Sequence, residues 1–99
     1  MFRLTDVKGS PAKVSVTFEA RAEDDVRAIH VVGTFNDWSR AALAMKRRKD
    51  GVWAATLRLP RGETHQYCFL LDGERWTADQ ENGAAIPNPY GGVNSLLRT

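Results

Sequence analysis

The chain has 99 residues, of which 42% are hydrophobic and 26% charged, and its formal net charge is +2. That length holds one domain, because two halves would each be too small to bury a core, and the composition excludes a mostly disordered chain. No apolar run approaches the roughly 20 residues a membrane-crossing helix needs, and 14 basic against 12 acidic residues call for no polyanionic partner.

The opening stretch, MFRLTDVKGSPAK, lacks the apolar segment of a secretory signal and is assigned no strand. The single cysteine, Cys68, cannot close an internal disulfide, so a reducing cytoplasm is the expected setting. The first periodic segment is KVSVTFEAR, in which Val14, Val16, Phe18 and Ala20 alternate with Ser15, Thr17, Glu19 and Arg21. Alternation with period two marks a half-buried strand. After the polar turn AEDD comes VRAIHVVGTF, a more continuously apolar strand, and then NDWS, a turn rich in Asn and Asp. Residues 40–45, RAALAM, read as a loop holding at most one helical turn, since so short a segment does not persist as a helix without packing.

KDG at 49–51 predicts a hairpin turn into VWAATLRLP, where Trp53, Ala55, Leu57 and Leu59 share a face. RGE then turns into THQYCFLLDG, with Tyr67, Phe69 and Leu71 alternating with Gln66, Cys68 and Leu70. DGE at 72–74 is a further hairpin turn, followed by the short strand RWTAD. Residues 80–92, QENGAAIPNPYGG, read as a long irregular loop, and VNSLLRT as the closing strand. About seven short antiparallel strands without a sustained helix predict one immunoglobulin-like β-sandwich spanning residues 1–99.

The strings VVGTFNDWS, GVWAATLRLPRGETHQYCFLLDGERWTAD and PNPYGGVNSLL, in that order, resemble the family-48 carbohydrate-binding modules. That family includes the glycogen-binding domain of the AMP-activated protein kinase β subunit, and the likeness runs from about Val26 to Leu97. The resemblance implies a non-catalytic module for α-1,4-glucans such as glycogen, starch or maltooligosaccharides, working beside a glucan-processing enzyme or complex. It further implies a carbohydrate site made by Trp38 after the GxFN strand, Trp76 after the DG hairpin, Asn94 in the VN step and Tyr90 just before it. Two positions depart from the kinase-type pattern: Cys68 stands for a lysine and Gly92 for a threonine. The hairpin DGERW is also one residue longer.

The chemistry of the expected ligand suits these residue types. A pyranose offers one face of C–H groups, which a flat indole covers, and a rim of hydroxyls, which amides and cationic side chains satisfy. The pattern alone also allows Trp38 to fold over the end of the sandwich, as large aromatics commonly do. Trp53, in phase with Leu57 and Leu59, is expected in the core. Asn36 and Asp37 are expected to shape their turn, and Lys46 and Arg75 to be solvated.

No catalytic pattern is present. His30 and His65 lie in no nucleophile or metal spacing, Cys68 has no activating partner in sequence, and no pair of carboxylates is set for glycoside hydrolysis. Neither cofactor nor metal is expected. KRRK at 46–49 could meet phosphates, but the small net charge favours a solvated loop, so neither nucleic acid nor membrane is expected as a partner. The alternative to glucan binding is a degenerate member of the fold that serves as a protein-interaction or scaffold domain. Two open tryptophans on one face would favour binding, and a ring covered by the 80–92 segment would favour the scaffold.

Overall fold

In a computed structural model, which describes residues 1–99, nine strands form two antiparallel sheets. They are β1 (Phe2–Asp6), β2 (Lys13–Ala20), β3 (Ile29–Gly33), β4 (Lys46–Arg47), β5 (Trp53–Pro60), β6 (Thr64–Leu71), β7 (Arg75–Thr77), β8 (Ala85–Pro87) and β9 (Val93–Arg98). The first sheet has the order β1-β2-β5-β4. The second runs β3-β6-β9-β8, and β7 pairs with β6 over Phe69–Leu71, beyond the stretch that β9 occupies. The sandwich expected from the alternation is therefore the observed fold.

The alternating residues meet where the pattern placed them. Val14, Val16, Phe18 and Ala20 of β2 and Trp53, Ala55 and Leu59 of β5 face Ile29, Val31, Tyr67, Phe69, Leu71 and Leu97 from the other sheet. At the centre, the Phe18 ring lies 4.9 Å from Tyr67 and 5.6 Å from Phe35. Such aromatic pairs add to the apolar burial that drives the two layers together. Tyr67 and Asp79 form a buried polar anchor within this core. The phenol donates to Asp79 Oδ2 at 2.7 Å, Ser95 Oγ accepts the Asp79 N–H at 2.7 Å, and the Met1 ammonium also pairs with Asp79.

Three local expectations need correction. The opening stretch is not strandless: β1 is an edge strand held by backbone pairing, with Phe2 opposite Phe18. Residues 80–92 are not wholly irregular, since β8 pairs with β9 and sets Ile86 opposite Asn94. Residues 40–45 form the expected loop, with no helical turn in it. Residues 43–45 lie along the free edge of β3, where Leu43 O accepts the Val31 N–H at 2.9 Å and Ile29 O accepts the Met45 N–H at 2.8 Å. The helical turn instead falls at Thr34–Asn36, which shortens the strand read over 26–35. The turns at Gly51, Gly62 and Asp72-Gly73 take positive φ as their residue types suggested.

Candidate functional site

β6 carries Tyr67, Phe69 and Leu71 into the core, so Gln66, Cys68 and Leu70 point to the opposite side of the second sheet. Cross-strand register extends this outward face in rows. One row joins His30, Leu70 and Trp76, and another joins Val32 and Cys68. Of the candidate residues, Trp76 and Asn94 lie on this face, and Trp38 and Tyr90 sit on turns that follow β3 and precede β9.

Trp38 stands at its edge because of the turn that follows β3. Asn36 Oδ1 accepts the Gly33 N–H at 3.1 Å, and its Nδ2 donates to Val31 O at 3.0 Å, so one amide ties the turn back to the end of β3 twice. The Trp38 N–H then returns to Gly33 O at 2.9 Å. Asp37 and Trp38 both take left-handed backbone, at φ 53° and 59°. Asp tolerates that region, whereas a bulky aromatic does so only at a cost of order 1–3 kcal/mol. Trp38 is 40% exposed, so part of its ring packs on the protein while the rest stays open to solvent. The expected turn-shaping role of Asn36 is observed, and Asp37 contributes its backbone.

The Asp72-Gly73 hairpin reverses the chain into β7, and Trp76, directly opposite Leu70, is 46% exposed. Asp72 fixes this hairpin by accepting the N–H groups of Arg27 and Ala28 at 2.8 and 2.9 Å. Arg40, two residues past Trp38, holds its guanidinium carbon 5.5 Å from the centre of a Trp76 ring. The turn bearing Trp38 and the hairpin bearing Trp76 are thus neighbours in space. Trp53 differs from both, lying in the core as its phase implied.

Asn94 is only 8% exposed, and most of its amide is engaged inside the protein. Its Oδ1 accepts from the Cys68 thiol at 3.1 Å and from Asn88 Nδ2 at 3.3 Å, while its Nδ2 donates to Gln66 Oε1 at 3.1 Å. Burial pushes the Cys68 thiol above its usual range, partly opposed by a backbone hydrogen bond from Ser95. Asn88 is the residue that sequence reading missed. Its Oδ1 accepts the N–H groups of Tyr90 and Gly92 at 3.0 and 3.1 Å, which shapes the turn that carries Tyr90. The signal was the Asn ahead of Pro and Gly in NPYGG, a familiar turn composition. Tyr90 itself is 93% exposed, and its hydroxyl has no partner.

Elsewhere the groups with chemical potential are occupied or dispersed. Thr34 Oγ1 lies 2.9 Å from His65 Nδ1, and His65 Nε2 lies 2.8 Å from Glu63 Oε1. Hydroxyl, imidazole and carboxylate line up, yet Thr34 Oγ1 also accepts the Gln66 N–H at 3.2 Å, and the array ties β3 to β6. His30 lies half-buried on the outward face with Nδ1 unpaired. Arg75 reaches Glu23 at 3.2 Å, Arg47 reaches Asp24 and Arg48 reaches Glu19 and Asp50, so KRRK is partly neutralised. A shallow concavity beside β4, lined by Leu43, Ala44, Lys46, Ala54, Ala55 and Thr56, includes neither exposed tryptophan. The outward face is a platform rather than a cleft. No helix is long and apolar enough to cross a membrane.

Residues 14–99 match the family described as the glycogen recognition site of AMP-activated protein kinase, and the chain belongs to that family of carbohydrate-binding modules. It is 32% identical over 87 residues to the β-2 subunit of 5'-AMP-activated protein kinase from Mus musculus, covering 88% of this chain and 30% of that one. Against the same subunit from Homo sapiens it is 30% identical over 114 residues, covering 98% of this chain and 40% of that one. An alpha-amylase from Niallia circulans is 29% identical over 102 residues, covering 94% of this chain and 8% of the enzyme. The chain therefore spans well under half the length of these relatives.

Proposed function

We propose that the chain binds α-1,4-linked glucans, such as glycogen, starch or maltooligosaccharides, on the outward face of the second sheet and performs no chemistry on them. Trp38 and Trp76 cover the C–H faces of successive sugars, and Tyr90 flanks them. Asn94 acts mainly from below, holding Gln66 and the Asn88 turn in place, and retains one amide N–H for a sugar hydroxyl. The observation that carries this reading is Trp38, held open at φ 59° by a turn locked through Asn36. A bulky ring held in strained backbone with part of its face open to solvent is available to a ligand.

A ring covered by the 80–92 segment would have favoured a docking-only domain, and both rings are partly open. Shallow aromatic platforms support affinities of about 10 µM to 1 mM, or roughly −7 to −4 kcal/mol. Such binding suits a tether that holds an attached or associated enzyme on polysaccharide. The kinase subunits and the amylase among the relatives are consistent with that use. A cytoplasmic setting, with Cys68 reduced, fits the same picture.

The test is titration with β-cyclodextrin and maltoheptaose, followed by tryptophan fluorescence, for the wild type, Trp38→Ala and Trp76→Ala. Saturable change in the wild type that both substitutions remove is the expected result. No wild-type response up to about 10 mM ligand, weaker than roughly −2.7 kcal/mol, would assign the face to a protein partner instead.

A further inference from the structure

We propose that Arg40 is a ligand-contacting residue, donating guanidinium N–H groups to sugar hydroxyls at the edge of Trp76. The inference rests on the reading of this face as a glucan platform.

Arg40 is exposed, yet it is placed rather than free. Its backbone follows the turn closed by the Trp38 N–H to Gly33 O and Ser39 N–H to Asn36 O bonds, at 2.9 and 3.0 Å. From there the side chain crosses to β7 and sets its guanidinium 5.5 Å from a Trp76 ring centre. Unlike Arg47, Arg48, Arg61 and Arg75, each of which meets a carboxylate, Arg40 makes neither a hydrogen bond nor an ion pair. All five of its N–H donors remain available.

The floor beside it offers few such groups. Leu70, Cys68 and Val32 are buried there, Gln66 and Asn94 are bonded to each other, and His30, in the row of Leu70 and Trp76, is half-buried. A thiol whose ionisation burial opposes adds no strong donor. A sugar on Trp76 has its hydroxyl rim in the plane of its ring, at the edge of the stacking surface. The guanidinium lies over the Trp76 ring, so a sugar stacking on that face displaces it sideways toward the hydroxyl rim. An exposed cation–π contact is weak beside a charge-assisted hydrogen bond, so the guanidinium can shift on the ring to meet a hydroxyl without losing much.

Calorimetric titration of the full chain with maltoheptaose, comparing wild type with Arg40→Ala, Arg40→Met and Arg40→Lys, tests this. Methionine keeps an apolar stem to steady Trp76 but lacks the donors, and lysine keeps a charge. The expected result is affinity about ten- to hundredfold weaker for Ala and Met, the loss of one hydrogen bond from a charged donor, with Lys intermediate and thermal midpoints close to wild type. Wild-type or tighter affinity in Arg40→Met would overturn the proposal while leaving the tryptophan platform standing; tighter binding would show that Arg40 obstructs the ring. A wild type that binds no glucan would overturn the platform and the role of Arg40 together.

Discussion

The Cys68 thiol donates to Asn94 Oδ1 at 3.1 Å across β6 and β9, so the two residues form one polar unit on the platform floor. Gln66 Oε1 and Asn88 Nδ2 complete it, and Asn88 in turn holds the Tyr90 turn. Asn94 is a keystone between sheet and loop, and its substitution acts on both.

Asn94→Ala leaves the thiol, the Gln66 carbonyl and the Asn88 amide each short of a partner. We expect a loss of about 1–3 kcal/mol of stability, the range for buried polar groups left unsatisfied. Urea unfolding measures it, and amide exchange should speed up at Tyr90 and Gly92. Stability within about 0.5 kcal/mol of wild type would mean that water takes over the amide's role.

The three tryptophans separate by stability. Trp53→Ala removes a core ring and should cost about 3–5 kcal/mol, whereas Trp76→Ala should cost below about 1 kcal/mol. Trp38→Gly relieves left-handed strain that Trp38→Ala retains, so it should be more stable than the alanine variant by about 1 kcal/mol. Equal stability of the two would show that the turn relaxes once the ring is gone. Acrylamide should quench the emission of Trp38 and Trp76 and spare Trp53.

Gly33 lies in extended backbone, so its constraint is space and not φ. A Cβ there would sit 2.5 Å from Gln66 O and 2.8 Å from the Phe35 ring. Backbone cannot yield as a flexible side chain can, so Gly33→Ala should cost about 1–3 kcal/mol or more. It should also shift the Trp38 turn, read as a changed emission maximum. A thermal midpoint equal to wild type would contradict the close approach.

Alkaline pH should destabilise the fold in two stages. Burial favours the neutral Cys68 thiol, and burial together with the Asp79 hydrogen bond favours the neutral Tyr67 phenol. Unfolded, these groups ionise near about 8.5 and 10. Their contribution is therefore complete below those values and falls as pH rises through and beyond them, because only the unfolded chain releases the protons. Urea midpoints at pH 7, 9 and 11 should decline, and Cys68→Ala should remove the first part of the decline. Thiol alkylation at pH 8 should be much slower in the folded than in the unfolded protein.

The sequence by itself determined the sandwich, because β2, β5 and β6 each bury one face against a common core and so must alternate with period two. It also determined the hairpins, because left-handed turn positions select Gly and Asp, and it marked Trp38 and Trp76 as tryptophans beside turns. Tertiary structure alone decided β1 and β8, edge strands held by backbone pairing that leaves little mark on side-chain pattern. It also decided that residues 43–45 run along the edge of β3, since that bonding depends on a neighbour and not on helix propensity. The burial of Asn94 against Cys68 and the approach of Arg40 to Trp76 join residues 26 and 36 positions apart. Contacts between distant residues follow from strand register and turn geometry together, and local pattern specifies neither.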